Sequence, residues 1–210
     1  MLIAIEGIDG VGKSTLIKVL CRLFKSKNTS ISCINFPCSK KSIFADLAVE
    51  ALYGKHGDLS KSIYAMAVLF AFDRANMRKK IIKLRSINNI VILDRYVASN
   101  IAYNLARTQQ KFISKVLNWV YKLEFKRFKL PKPDLQIFFD AKTKLAVQKT
   151  KFRSTGKLSL SRRDIYECNY ELQYRVRRIY KSLAYSNWCS KWMVASLNTN
   201  PIILAELLMK

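Results

Sequence analysis

Met1-Leu2-Ile3-Ala4-Ile5-Glu6-Gly7-Ile8-Asp9-Gly10-Val11-Gly12-Lys13-Ser14-Thr15 opens the chain, and the order of residue types in it decides the fold. An apolar run gives way at once to a glycine-rich turn and then to a helical pattern, so the stretch reads as strand, phosphate loop and helix. Gly7, four further residues, Gly12, Lys13 and Ser14 fit the Walker A form, in which glycines let backbone N–H groups fold into a nest around the phosphates of a nucleoside triphosphate. Gly7, Ile8, Asp9, Gly10, Val11, Gly12, Lys13, Ser14 and Thr15 are therefore the candidate ATP-binding residues. Lys13 adds a point charge near the transferred phosphoryl group and Ser14 offers a hydroxyl to Mg2+. The helix predicted over residues 16–25 aims the positive end of its dipole at the same anion.

The chain has 210 residues, enough for one domain with a substantial core, and no linker, fixed-period repeat or low-complexity tract divides it. Residues 1–5 are too few for a signal peptide or a membrane span and lead straight into the phosphate loop, which predicts a cytoplasmic protein with no membrane partner. Five cysteines, Cys21, Cys33, Cys38, Cys168 and Cys189, lack the close paired spacing of zinc sites and read as reduced, mostly buried thiols. The net charge of +24 would by itself suggest an anionic partner such as nucleic acid. Lys and Arg are spread over nearly every segment instead of one basic arm, which favours a solvated surface over a nucleic-acid footprint.

Further along, residues 31–36 form a second apolar strand stopped by Pro37, and a helical pattern over 40–53 has Ile43, Leu47 and Leu52 roughly on one face. His56, the only histidine, falls between Gly54 and Gly57 in a turn and reads as a loop residue. Asp58 is placed to cap a long helix over 59–84. On it Phe70, Asp73, Arg74 and Met77 share one stripe, either a salt bridge at the rim of the core or a pocket wall for a flat polar ligand. Ile90-Val91-Ile92-Leu93-Asp94-Arg95-Tyr96 is a buried-strand run that delivers Asp94 where a Walker B carboxylate holds Mg2+, with Arg95 beside it where phosphates would meet. Tyr96, Asn100 and Tyr103 then recur at helical spacing as a candidate ligand wall.

An amphipathic helix over 111–128 presents Phe112, Val116, Trp119, Val120 and Leu123 to a sheet or a partner subunit. A fourth strand covers 135–139, and Leu145 lies in another helix. Residues 149–163 are basic, with Lys149, Lys151, Arg153, Lys157, Arg162 and Arg163 and no apolar period, and read as a lid able to clamp phosphoryl charge. Ser161 and Asp164 form a capping box for a helix reaching residue 184 that carries Tyr166, Glu167, Tyr170 and Tyr174. Residues 192–195 make a fifth strand, and Pro201 opens a last helix. Strands alternating with helices behind a phosphate loop predict an α/β, doubly wound, five-stranded parallel sheet of the P-loop NTPase kind.

Several of these motifs together resemble one family. Glu6 to Thr15, Phe36-Pro37, Phe70-Ala71-Phe72-Asp73-Arg74 and Leu93-Asp94-Arg95-Tyr96 with Ser99, Asn100 and Tyr103 are similar to bacterial thymidylate kinase. The likeness spans nearly the whole chain. It is closest to the actinobacterial form, which shares His56-Gly57-Asp58, Leu130-Pro131-Lys132-Pro133-Asp134 and Tyr166-Glu167. Walker A alone is common to many NTPases, whereas the Asp-Arg-Tyr element with the Phe/Asp/Arg helix is far more specific.

The resemblance implies transfer of the ATP γ-phosphoryl group to dTMP, giving dTDP for dTTP synthesis, with Mg2+ as cofactor and a homodimer as the expected assembly. It implies that Phe70 stacks on thymine, that Arg74 and Asn100 bond its edge, and that Tyr103 crowds the sugar 2′ position. Asp9 would lie near the sugar and phosphates and Arg95 at the acceptor phosphate, with Phe36 and Tyr166 completing the acceptor pocket. Lys13 and Arg153 would stabilise phosphoryl charge, with Ser14, Asp94, Asp9 and Glu167 as candidate metal contacts. Two departures stand out. Cys38 and Ser39 replace the arginine and tyrosine that often follow Phe-Pro, and the basic segment keeps Arg153 but has Lys149, Lys157 and Ser161 where arginines are common. Another nucleoside monophosphate kinase, or a basic P-loop ATPase acting on nucleic acid, are the alternatives that an acceptor screen separates.

Overall fold

In the computed structural model the described residues are 1–141, 143, 164–167 and 169–209. Five parallel strands, β1 (Leu2–Glu6), β2 (Ile31–Asn35), β3 (Ile90–Asp94), β4 (Leu135–Asp140) and β5 (Lys191–Ser196), lie in the order β2-β3-β1-β4-β5. β1 sits at the centre, with Leu2 level with Val91 on one side and Ile3 level with Leu135 on the other. Its five residues are all fully buried, the mark of a parallel strand covered on both faces.

The helices are α1 (Lys13–Ser26), α2 (Ile43–Leu52), α3 (Ile63–Ile87), α4 (Val97–Leu105), α5 (Ile113–Tyr121), α6 (Tyr170–Tyr185) and α7 (Pro201–Met209). They flank the sheet in two groups: α1 packs against α7, while α2, α3, α4 and α6 pack in succession. None is long and apolar enough to cross a membrane.

Several boundaries differ from the sequence reading. α1 starts at Lys13, so the Walker lysine and serine belong to its first turn. The 59–84 helix begins later: residues Leu59–Lys61 make a short 3-10 turn, and Ser62, not Asp58, caps α3 by accepting from the Ala65 N–H at 3.2 Å. The 111–128 helix is α5 followed by a π-helical turn, Lys122–Arg127, and Phe112 is exposed. Asn169 caps α6 from its side chain, with Tyr166 and Glu167 in a turn before it. Ser161, Leu145 and the 149–163 segment with Arg153 lie outside the described residues. α2 buries Ala45, Ala48, Ala51 and Leu52, leaving Ile43 exposed, because small residues allow close approach to α3.

The thiols are less buried than expected: among those described only Cys38 is buried, and Cys21 on α1 meets Cys33 on β2 with sulfurs 2.9 Å apart. His56 is the expected loop residue, bonded to Glu50 at 2.8 Å.

Candidate functional site

The carboxyl ends of β1, β2 and β3 lie side by side and set the place of the site. After β1 the chain turns through Gly7 (φ 148°), Gly10 (φ 75°) and Gly12 (φ 101°). Gly7 is forced by contact as well as by φ, since a Cβ there would lie 2.7 Å from the Phe139 carbonyl oxygen. Gly12 is the N-cap of α1 in the left-handed region, and the helix's first N–H groups face the loop. Lys13 folds over this loop and donates to the Gly7 and Ile8 carbonyls at 3.0 and 2.8 Å. Burial and the neighbouring Arg95 charge, opposed by Asp9, bring its pKa down to about 8. An incoming anion would restore the countercharge this ammonium lacks.

Asp94 ends β3, and its Oδ2 accepts from the Ser14 hydroxyl at 3.2 Å. These two oxygen donors, one from each side of the loop, suit a hard divalent cation that takes its remaining ligands from phosphate and water. Among the described residues no cluster of three or more His, Cys, Asp or Glu forms a closed metal cage.

Arg95 follows with φ 65°, in a region non-glycine residues seldom occupy. Its conformation is held from four sides. The N–H bonds Ile5 O at 2.9 Å, Nη1 bonds Gly7 O at 3.0 Å and the Ser99 hydroxyl at 3.3 Å, and Nη2 pairs with Asp9. Asp9 also accepts from the Tyr103 hydroxyl at 2.5 Å and the Gln173 amide at 3.1 Å. Burial would raise the Asp9 pKa, but Arg95 and Lys13 outweigh it and hold the carboxyl below its ordinary value.

Beside this cluster opens a cavity of about 280 Å³. Phe36, Pro37, Leu52, Met66 and Phe70 make its apolar side; Arg74, Asn100, Tyr103, Arg95 and Asp9 make its polar side, and Tyr166, Asp164 and Glu167 close its rim. Phe36 follows a carbonyl-bonded end of β2 and joins Pro37 through a cis peptide bond. Tyr166 stacks on Tyr103 with ring centroids 6.0 Å apart and planes 16° apart. Its hydroxyl bonds Ser60 O at 3.0 Å and Arg107, whose guanidinium carbon sits 4.8 Å over the ring. Asp164 accepts from the Tyr166 and Glu167 N–H groups at 2.7 and 3.3 Å, yet burial and the Asp9 charge push its pKa up to about 7.

Every predicted acceptor-site residue thus lines one cavity, with three qualifications. Tyr96 is fully buried in the core, its hydroxyl on Pro131 O, and is no part of the wall. Asp73 faces away from the cavity and receives the Cys38 N–H at 3.0 Å, so the stripe on α3 divides between ligand wall and loop anchor. Arg74 makes its ion pair across to Glu124, not along its own helix, with Nε and Nη2 at 2.5 and 2.8 Å. Burial acts to lower the Arg74 pKa, but Glu124 raises it above the ordinary value.

Sequence reasoning missed Glu124, Gln173 and the role of Glu6. Glu6 is fully buried and accepts from the Tyr96 N–H at 2.8 Å, the Ser99 hydroxyl at 2.6 Å and the Tyr180 hydroxyl at 3.1 Å, so it ties β1 to α4 and α6 beneath the site. Glu124 gave one signal: Val116, Val120 and Glu124 fall at four-residue intervals, and all three are buried. A carboxylate continuing an apolar stripe marks a waiting partner. Gln173 gave none.

A phosphate loop running from a central parallel strand into the next helix defines the P-loop NTPase class, and the chain is of that class. The model of the thymidylate kinase family matches residues 5–201. The chain is 43% identical over 208 residues to the thymidylate kinase of Mycobacterium tuberculosis, covering 99% of this chain and 97% of that one. It is 36% identical to a probable thymidylate kinase of Pyrococcus horikoshii, covering 87% and 82%. A solved thymidylate kinase from Candida albicans superposes with a TM-score of 0.70 at 24% identity, covering 99% of this chain and 88% of that one, and shares the fold. The chain belongs to the thymidylate kinase family.

Proposed function

We propose that the cavity receives dTMP and the phosphate loop ATP, and that the chain transfers the γ-phosphoryl group from one to the other, giving dTDP and ADP. One observation carries the reading. Apolar rings and polar groups meet in a single cleft beside the loop, with Arg95 at the junction. Phe70 offers a face for a flat base, Arg74 and Asn100 meet its edge, and Tyr103 lies where the sugar would sit. Arg95 and Lys13 then flank the position of the acceptor phosphate. Little covalent work is needed in phosphoryl transfer, so alignment and charge supply most of the acceleration.

Ser14 and Asp94 would hold Mg2+, while Asp9 and Glu167 line the acceptor cavity. When bound, the ion neutralises charge on the phosphate oxygens. Asp9, salt-bridged to Arg95 and kept ionised by it, holds the guanidinium toward the junction. Arg153 belongs to the proposal through the family resemblance and is tested by the kinetics of Arg153→Ala. The working form is expected to be a single-domain homodimer in the cytoplasm.

The test is a phosphoryl-acceptor screen with ATP and Mg2+ across nucleoside monophosphates. Turnover of dTMP well above dCMP, dAMP and dGMP, with thermal stabilisation by dTMP and not by thymidine, is the expected result. No dTMP turnover, or hydrolysis that depends on added DNA or RNA, overturns it.

A further inference from the structure

Glu124 sits on the π-helical turn Lys122–Arg127, just after α5, with no exposed side-chain surface. A π turn shifts side chains out of the register of the preceding helix, and such turns recur where a helix carries a functional group. Here the shifted carboxylate reaches two residues of the acceptor cavity at once. Its Oε2 accepts from Arg74 Nε at 2.5 Å; its Oε1 accepts from Arg74 Nη2 at 2.8 Å and from Asn100 Nδ2 at 2.7 Å.

The consequence lies in which hydrogen-bonding groups are left over. Asn100 spends its other N–H on the Ala67 carbonyl at 3.0 Å, so neither amide hydrogen remains for a ligand. The amide cannot flip, because a flip would set its oxygen against two acceptors. Asn104 reinforces the orientation by donating to Asn100 Oδ1 at 2.8 Å, and that oxygen keeps one lone pair to accept a further hydrogen. Arg74, by contrast, has only donors, and those not taken by Glu124 remain available to the cavity. Glu124 therefore holds Arg74, a donor by type, in place and, with Ala67 and Asn104, fixes Asn100 as an acceptor.

We propose that Glu124 is the positioning residue that sets this donor–acceptor order, and that through it the cavity takes a 4-keto pyrimidine and refuses its 4-amino counterpart. A 4-keto pyrimidine presents a carbonyl acceptor beside an N3–H donor, the complement of a donor followed by an acceptor. A 4-amino pyrimidine presents a donor beside a bare N3, so both contacts meet like with like. This inference rests on the reading of the cavity as the dTMP site.

The comparison uses dTMP and 5-methyl-dCMP, which carry the same methyl group and differ only along that edge. In Glu124→Gln, kcat/KM for dTMP should fall about tenfold or more, mainly through KM, while that for 5-methyl-dCMP changes little, so their ratio falls about tenfold. A purely structural role would lower both substrates together and leave the ratio in place. Where Glu124→Gln fails to fold, Glu124→Asp keeps a charge opposite Arg74 while its shorter arm withdraws from Asn100, and the same fall in ratio is expected. An unchanged ratio in either folded variant, or a loss confined to kcat, overturns the role of Glu124. A wild-type enzyme that does not prefer dTMP overturns the reading of the cavity itself.

Discussion

Arg74→Ala should do two separable things, and their sizes follow from the burial of its partner. Glu124, with 0% of its side chain exposed, would lose both guanidinium bonds and keep only the Asn100 amide. Removing one member of a buried ion pair costs about 3–5 kcal/mol, because the remaining charge has neither water nor a counterion. For a chain of 210 residues each kcal/mol moves Tm by about 2–4 °C, so a fall of about 6–20 °C is expected without nucleotide. Base recognition is the second effect, about 1–3 kcal/mol in dTMP affinity for an unpaired desolvated edge. Arg74→Met/Glu124→Met removes both charges and fills the space, so it should recover most of the stability and none of the affinity. Urea denaturation, with titration of dTMP on the folded variants, measures both. Arg74→Ala within about 1 kcal/mol of wild type, or a double variant no more stable than it, would refute the argument.

Lys13→Ala should lower kcat by about a hundredfold or more while the apo protein melts near the wild-type temperature, since its ammonium bonds only loop carbonyls; full turnover would remove Lys13 from the chemistry. Tyr103→Ala should relax the preference for deoxyribose, read as kcat/KM for dTMP against its ribose analogue. An unmoved ratio places the sugar elsewhere. Asp164 has its folded pKa raised from 3.8 to about 7, so the folded state holds the proton more tightly and loses stability as pH climbs between those values. Asp164→Asn should therefore match wild type near pH 4 and melt higher from about pH 7 upward; a difference that is the same at every pH would exclude that linkage.

The sheet was legible because both faces of each inner strand are covered, which leaves uninterrupted apolar runs at residues 2–5 and 90–93. The phosphate loop was legible because glycine spacing there answers to backbone angles and a close carbonyl. Cap positions were not. Asp58 and Ser62 are both good caps, and the choice between them depends on a 3-10 turn that precedes α3. Gln173 and the partner of Glu124 were hidden for another reason. Carboxylates and amides belong on surfaces by type, and Glu124 and Gln173 are drawn inside by Arg74 and Asp9, 50 and 164 positions away. Periodicity along one helix shows that Glu124 continues an apolar stripe, but not which residue on another helix pairs with it.

The central position of β1 also sets a problem of timing during synthesis. Its first sheet partner, β3, begins at Ile90, and its second, β4, at Leu135. At ordinary translation rates the strand emerges about 5–20 s before the residues that will pair with it. For that interval the nascent chain holds an apolar strand with both edges open, the kind of segment that seeks any available edge. The residues between β1 and β3 carry more Lys and Arg than Asp and Glu, and like charge on two such segments disfavours their close approach.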